Sequence, residues 1–212
     1  MFTLYTTPLS ANGRKVLAVI HHLGLAPDVR LINVYRGEGR TPEYLAINPS
    51  GKIPTLVDGD FTLSESNAIL QYLCEAYGEY RLWSRTPTVR ATIARWLFWE
   101  AAHWQPVLTT VLSSFVGHRL LPDVIPAPGA APEWGAASLL PLLAGLETQL
   151  GAQPFLAADC LTIADFSVAG MMTYFRAAEF PFADHPMLSA WYERIEALPA
   201  WRSTETALWR AA

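Results

Sequence analysis

Ile53-Pro54-Thr55-Leu56-Val57-Asp58-Gly59-Asp60-Phe61-Thr62-Leu63-Ser64-Glu65-Ser66-Asn67-Ala68-Ile69 joins two short β-prone runs through an Asp-Gly turn and runs on into a helix. Two such runs around Asp-Gly read as an antiparallel hairpin. A proline opening the first strand is tolerated because it owes the ladder no donor. After the polar cluster Ser64–Asn67, Ala68, Ile69, Tyr72, Leu73 and Ala76 recur at helical spacing, and Gly78 ends the run. The segment is therefore β-β-α.

Toward the N-terminus, Phe2–Thr6 is β-prone and breaks at Pro8. Val16, Leu17, Val19, Ile20 and Leu23 then follow a helical period that Gly24 stops, and Val29–Val34 reads as a second strand. Strand, helix and strand within so short a span make a βαβ unit, whose strands are parallel and joined right-handedly. Arg36–Asn48 reads as loop with a short irregular helix.

Toward the C-terminus the pattern lapses over 79–88, and no convincing strand follows. Ala91–Val111 is helical, with Trp96, Trp99, Glu100, His103 and Val107 on one face and Pro106 expected to kink it. Residues 122–132 carry four prolines and read as loop. Further helices are expected over Ser138–Leu150 (interrupted near Pro141), Thr162–Ala177 and Pro186–Leu198, with a terminal piece reaching Arg210. The chain thus divides into an α/β module over 1–78, a linker over 79–88 and an all-helical module over 89–212.

The chain has 212 residues, 51% apolar and 16% charged, which excludes disorder. A net charge of −4 argues against a nucleic-acid binder, though not against a local basic pocket for an acidic small molecule. No apolar run approaches the ~18 residues of a membrane span. Met1-Phe2-Thr3-Leu4-Tyr5 lacks a basic n-region, so no signal peptide is expected. Cys74 and Cys160 form no CxxC or ligand spacing and read as buried thiols of a reducing cytoplasm, with no metal. Only two lysines, Lys15 and Lys52, stand against 13 arginines.

With this order of modules the chain resembles the cytosolic glutathione transferase family over nearly its full length. Four motifs carry the likeness. Thr7-Pro8-Leu9-Ser10-Ala11-Asn12-Gly13-Arg14-Lys15-Val16 is similar to the first-strand-to-helix turn of bacterial serine-type and related Ser/Thr-x-Asn classes. Asn48-Pro49-Ser50-Gly51-Lys52-Ile53-Pro54-Thr55-Leu56 resembles NPxGxVPxL, and Leu63–Ile69 resembles LxESxAI. Leu161-Thr162-Ile163-Ala164-Asp165 resembles the capping motif of the second domain's core helix, and Thr162 and Asp165 also form a capping box by spacing alone.

The resemblance implies a thioredoxin-like first domain, glutathione as co-substrate, and a homodimer. It implies a cis Ile53–Pro54 peptide that presents the Ile53 main chain to the cysteinyl unit. Glu65 and Ser66 are expected to meet the γ-glutamyl ammonium and carboxylate, although on the residues alone Ser64 or Ser66 serves equally as an ordinary helix cap. Lys52 and Arg40 would meet the glycyl carboxylate.

A thiol titrates at about 8.5, and lowering it two units takes about 2.7 kcal/mol. A hydrogen bond to a charged acceptor supplies roughly 1.5–3 kcal/mol, and a helix N-terminus up to about 1 kcal/mol. A hydroxyl donor therefore suffices. Ser10 is the expected donor and Asn12 the second candidate, either being otherwise a plain cap. Thr7 is a lesser rival, and Tyr5 lies inside the strand. The electrophile site is expected between the modules, lined by Leu9, Trp99, His103, Trp104 and Val107, with no nucleic-acid or membrane partner. Conjugation of glutathione to small apolar electrophiles leads. Peroxide or disulfide reduction on the same site, or a non-catalytic binding module, stand as alternatives.

Overall fold

The computed structural model describes residues 2–78 and 80–206. Expectations that fall on 79 and 207–212 lie outside the described residues. The first module is β1 (Thr3–Thr6), α1 (Ala11–His22), β2 (Asp28–Leu31), α2 (Pro42–Ile47), β3 (Thr55–Asp58), β4 (Phe61–Ser64) and α3 (Ser66–Ala76). The sheet order is β2-β1-β3-β4, with β1 parallel to β2 and antiparallel to β3, and β3 antiparallel to β4. The βαβ and hairpin expectations both hold. Pairing of Asp58 with Phe61 makes the hairpin loop Gly59-Asp60, and Gly59 takes the positive φ of 58° that a two-residue loop asks of its first residue.

Side chains alternate across the sheet. Leu4 and Leu56 are wholly buried with Val16, Val19 and Ile20 of α1 and Ile69, Leu70 and Leu73 of α3. Tyr5 points to the other face, its ring centroid 5.8 Å from that of Tyr44 on α2.

The second module has helices and no strand among its described residues: α4 (Pro87–Trp99), a π-turn (Glu100–Trp104), α5 (Gln105–Val111), α6 (Ser113–Leu120), α7 (Leu140–Ala152), α8 (Ile163–Met171), α9 (Pro186–Glu196) and α10 (Pro199–Arg202). α8 is apolar nearly all round, and Ile163–Gly170 is entirely buried at its centre. Thr162 and Asp165 close both halves of the capping box.

Several expectations need correction. Pro141 sits in the first turn of α7 instead of interrupting it, because a helix start needs no donor there. α8 ends at Met171, and a 3₁₀ turn carries the chain on to Tyr174. α6 had no counterpart in the sequence reading. Pro106 produces the π-turn just before it: its ring would crowd the carbonyl four residues back, and a widened turn relieves this, with the Gln105 N–H reaching the Glu100 carbonyl.

Cys74 is buried, and burial pushes its thiol up to about 12, whereas Cys160 is exposed. Cys160 thus departs from the expected buried thiol. A thiol reagent at neutral pH is expected to label one cysteine of the native protein and two after denaturation. Rapid labelling of both in the native state would contradict the burial of Cys74.

Candidate active site

Between β1 and α1, Thr7–Ser10 forms a tight turn in which the Ser10 N–H donates to the Thr7 carbonyl at 3.1 Å. Ser10 caps α1, its Oγ accepting the Gly13 N–H at 3.0 Å. This bond uses a hydroxyl lone pair and leaves the hydroxyl proton to be donated elsewhere. The cap and the thiol-donor readings of Ser10 are therefore compatible. Only glycine closes this first turn at position 13, since a Cβ there would stand 2.0 Å from Thr6 Oγ1.

The start of α3 is built differently. Glu65 is its N-cap at φ 67°, ψ 107°, a conformation that costs an L-residue on the order of 1–3 kcal/mol. No side chain caps this terminus, so neither Ser64 nor Ser66 plays the ordinary capping role. An uncapped helix N-terminus is an anion site. Ser66 is buried and donates its hydroxyl to Asn12 Oδ1 at 3.2 Å, which brings the starts of α1 and α3 together.

A third wall is the loop before β3. Asn48 Nδ2 donates to the Lys52 carbonyl at 2.9 Å and to Thr55 Oγ1 at 2.9 Å, and its Oδ1 accepts the Ser50 N–H. The Tyr44 hydroxyl donates to the same Lys52 carbonyl at 2.6 Å. The loop main chain is thus fixed while the Lys52 side chain stays exposed. Ile53–Pro54 is cis, and Ile53 lies outside the β3 ladder. Gly39 and Gly51 pack backbone to backbone: a Cβ on Gly39 would meet the Gly51 carbonyl at 2.3 Å. This contact sets Arg40 beside the Lys52 loop, its Nη1 3.3 Å from where a Gly51 Cβ would be.

Beside these walls opens a cleft of about 390 Å³ between the modules. Leu9, Ser10, Ala11 and Asn12 form its floor. Gln105, Leu108, Leu112 and Val116 of the α5–α6 limb, Ile125, and Met171 and Tyr174 form its helical wall, with Tyr35 at one edge. Burial pushes the Tyr35 phenol up, so it stays neutral at ordinary pH. The neighbouring Arg36 pairs with Asp123 at 2.7 Å, from one module to the other. His118 Nδ1 lies 2.7 Å from the Ile125 carbonyl and ties the chain after α6 back onto the wall.

Residues 4–81 match the description "Glutathione S-transferase, N-terminal domain", and residues 117–194 match "Glutathione S-transferase, C-terminal domain". A glutathione S-transferase of Arabidopsis thaliana is 30% identical over 207 residues, covering 95% of this chain and 95% of its own length. Glutathione S-transferase 3 of Zea mays is 33% identical over 211 residues, covering 97% and 93%. The chain belongs to the glutathione S-transferase family. A glutathione transferase homolog of Drosophila mojavensis, solved with bound glutathione, superposes on this transferase with a TM-score of 0.81 at 26% identity, covering 98% of this chain and 92% of the other.

The wall of the cleft differs from the one expected for an electrophile. Of the five expected residues only Leu9 lines the cleft. Trp104 is wholly buried, stacked on Trp99 at 5.7 Å with its Nε1 donating to the Val168 carbonyl, and His103 is exposed away from the cleft. Val107 also falls outside the lining. The π-turn is the reason: a five-residue repeat delays every later side chain by about one position relative to α periodicity. The inward positions expected at His103 and Val107 fall instead on Trp104 and Leu108.

Lys15, which sits in a motif expected to bind a ligand, points into the protein interior. It is wholly buried and paired with Glu100 at 3.1 Å, and desolvation pulls its ammonium below the usual lysine value. Ser167 and Asn67 complete the cluster. Asn67 Nδ2 donates to Glu100 Oε2 at 2.8 Å, and the Ser167 hydroxyl to Asn67 Oδ1 at 2.7 Å. Arg14 is nearly buried too, stacked on Trp201 at 4.3 Å with its Nε donating to Thr204 Oγ1. Among the described residues no group of three His, Cys, Asp or Glu side chains is placed to hold a metal ion. Among those residues no helix is long and apolar enough to cross a membrane.

Proposed function

We propose that this transferase binds glutathione along the 40–66 surface and uses Ser10 to hold its sulfur as thiolate for attack on small apolar electrophiles in the cleft. The carrying observation is the meeting of the uncapped α3 terminus with the Ser10–Asn12 turn at the floor of that cleft. In this reading the Ser66 hydroxyl turns from Asn12 to the γ-glutamyl carboxylate, and Glu65 takes the ammonium. The Ile53 main chain, beside Pro54, pairs with the cysteinyl unit, while Lys52 and Arg40 meet the glycyl carboxylate. Asn12, on losing Ser66, can turn its amide toward the sulfur as a second donor. In class terms the enzyme groups with the serine-type or related Ser/Thr-x-Asn glutathione transferases.

The same reading divides the chain at 79–88 into a glutathione-binding domain and a helical domain, and takes it as a cytoplasmic homodimer. Phe98 of α4, 74% exposed, and Phe61 of β4, 46% exposed, are the aromatic side chains offered for association.

Ser10→Ala is expected to lower kcat/KM at neutral pH by about 10- to 150-fold, the equivalent of roughly 1.5–3 kcal/mol for a hydrogen bond to an ionised sulfur. Asn12→Ala should cost less. Thiolate absorbance of bound glutathione, followed against pH, checks the mechanism. An unchanged thiol titration in both variants rejects it.

A further inference from the structure

The turn that carries Ser10 is held by the helical module. Tyr174, at the end of the 3₁₀ turn after α8, is 4% exposed and donates its hydroxyl to the Leu9 carbonyl at 2.8 Å. That carbonyl belongs to the peptide unit whose nitrogen is Ser10 N, and this N–H is itself fixed on the Thr7 carbonyl. The Leu9–Ser10 peptide plane is thus pinned at both ends. The next peptide plane is held in turn, the Ser10 carbonyl accepting the Arg14 N–H at 2.8 Å, and two held planes set φ of Ser10, here −87°, and with it the direction in which the side chain leaves the backbone. The residue before Tyr174 grips the same segment further along: Arg14 Nη1 donates to Thr173 Oγ1 at 3.4 Å. Close packing backs both contacts, since a Cβ on Gly170 would stand 3.0 Å from Lys15 Cβ and 3.3 Å from the Ala11 carbonyl.

We infer that Tyr174 is a positioning residue, which aims the Ser10 hydroxyl at the glutathione sulfur through the Leu9–Ser10 peptide. The inference rests on the Ser10 reading above. Tyr174 also lines the cleft, so one side chain touches the space for the electrophile and holds the turn that ionises the thiol.

Tyr174→Phe keeps the ring and removes only the hydroxyl. The thiol titration of bound glutathione and the pH profile of kcat/KM are to be measured for wild type, Tyr174→Phe, Ser10→Ala and the double variant, using two electrophiles of different size. Reading the thiolate per bound glutathione keeps a partly unfolded preparation from mimicking the effect. The expected result is a rise of the thiol pKa in Tyr174→Phe and a fall in kcat/KM of about threefold to tenfold at neutral pH. That fall should be equal for both electrophiles, should fade above the thiol pKa, and should add nothing in the Ser10→Ala background.

If Ser10→Ala raises the thiol pKa and Tyr174→Phe does not, the inference is overturned while the Ser10 reading stands. A loss in Tyr174→Phe that differs between electrophiles with no pKa change equally overturns it, because the ring would then act only as cleft wall. If Ser10→Ala itself leaves the titration unmoved, the Ser10 reading fails and the role assigned to Tyr174 goes with it.

Discussion

Asp165→Ala is expected to lower the unfolding free energy by about 4 kcal/mol, at the upper end for a single substitution. Its carboxylate is wholly buried and accepts four hydrogen bonds: from Leu156 N at 2.9 Å and Trp191 Nε1 at 3.0 Å on one oxygen, and from Thr162 N at 2.9 Å and Thr162 Oγ1 at 3.0 Å on the other. Burial drives the carboxyl upward against these donors, so alanine removes a desolvated charge. It also strands three N–H groups inside the protein, each at about 1–3 kcal/mol. Those groups belong to the loop before α8, its cap and α9, so the loss reaches three elements at once. Thr162→Ala removes the capping oxygen and one of the four donors to Asp165 but leaves the carboxylate and its three N–H donors in place, and is expected to cost about 1–2 kcal/mol. Urea unfolding of both variants tests the difference. Equal midpoints would reduce Asp165 to an ordinary cap.

The second large effect lies at the module boundary. Lys15→Met is expected to cost about 3–5 kcal/mol, because it leaves Glu100 charged and buried with no cation. Glu100 Oε1 has no hydrogen-bond partner among the described residues even with the lysine in place. Adding Glu100→Gln removes the stranded charge while keeping an acceptor for Asn67 and Ser167. The double variant should recover to within about 1 kcal/mol of wild type, since replacing both members of a buried pair by neutral groups of similar size is often nearly neutral. Midpoints of thermal unfolding give the comparison. A double variant as unstable as the single one would show that the lysine acts by packing and not by charge.

Both sites bear on what the residues could and could not reveal beforehand. The sheet was readable because its strands alternate at period 2 and its hairpin carries an Asp-Gly turn, local signals that tertiary packing did not override. The capping box at Thr162 and Asp165 was readable for the same reason: its chemistry closes within four residues. Lys15 was misleading. Its sequence neighbours belong to the ligand turn, but on α1 it points the other way, toward Glu100, a partner far along the chain. The helical wall of the cleft was displaced by one position because a π-turn leaves no mark in a hydrophobic period, only a proline beyond it. α6 was overlooked because its apolar residues Phe115, Val116 and Leu120 are only partly buried and Gly117 breaks the pattern. Tyr174 could not be found from spacing at all, since its hydrogen bond depends on how the two modules dock.

The π-turn has a bearing on chain length. Ala101, Ala102 and His103 lie in succession on the outside of that turn, all exposed. A turn of this kind absorbs one surplus residue locally and leaves the helix on either side aimed as before. Loss of Ala102 together with Pro106→Ala would therefore restore an ordinary α-helix in which Glu100 still meets Lys15 and Leu108 still faces the cleft. This limb of the protein can shorten or lengthen by one residue without re-aiming its walls, so related chains aligned through it should carry their gap here.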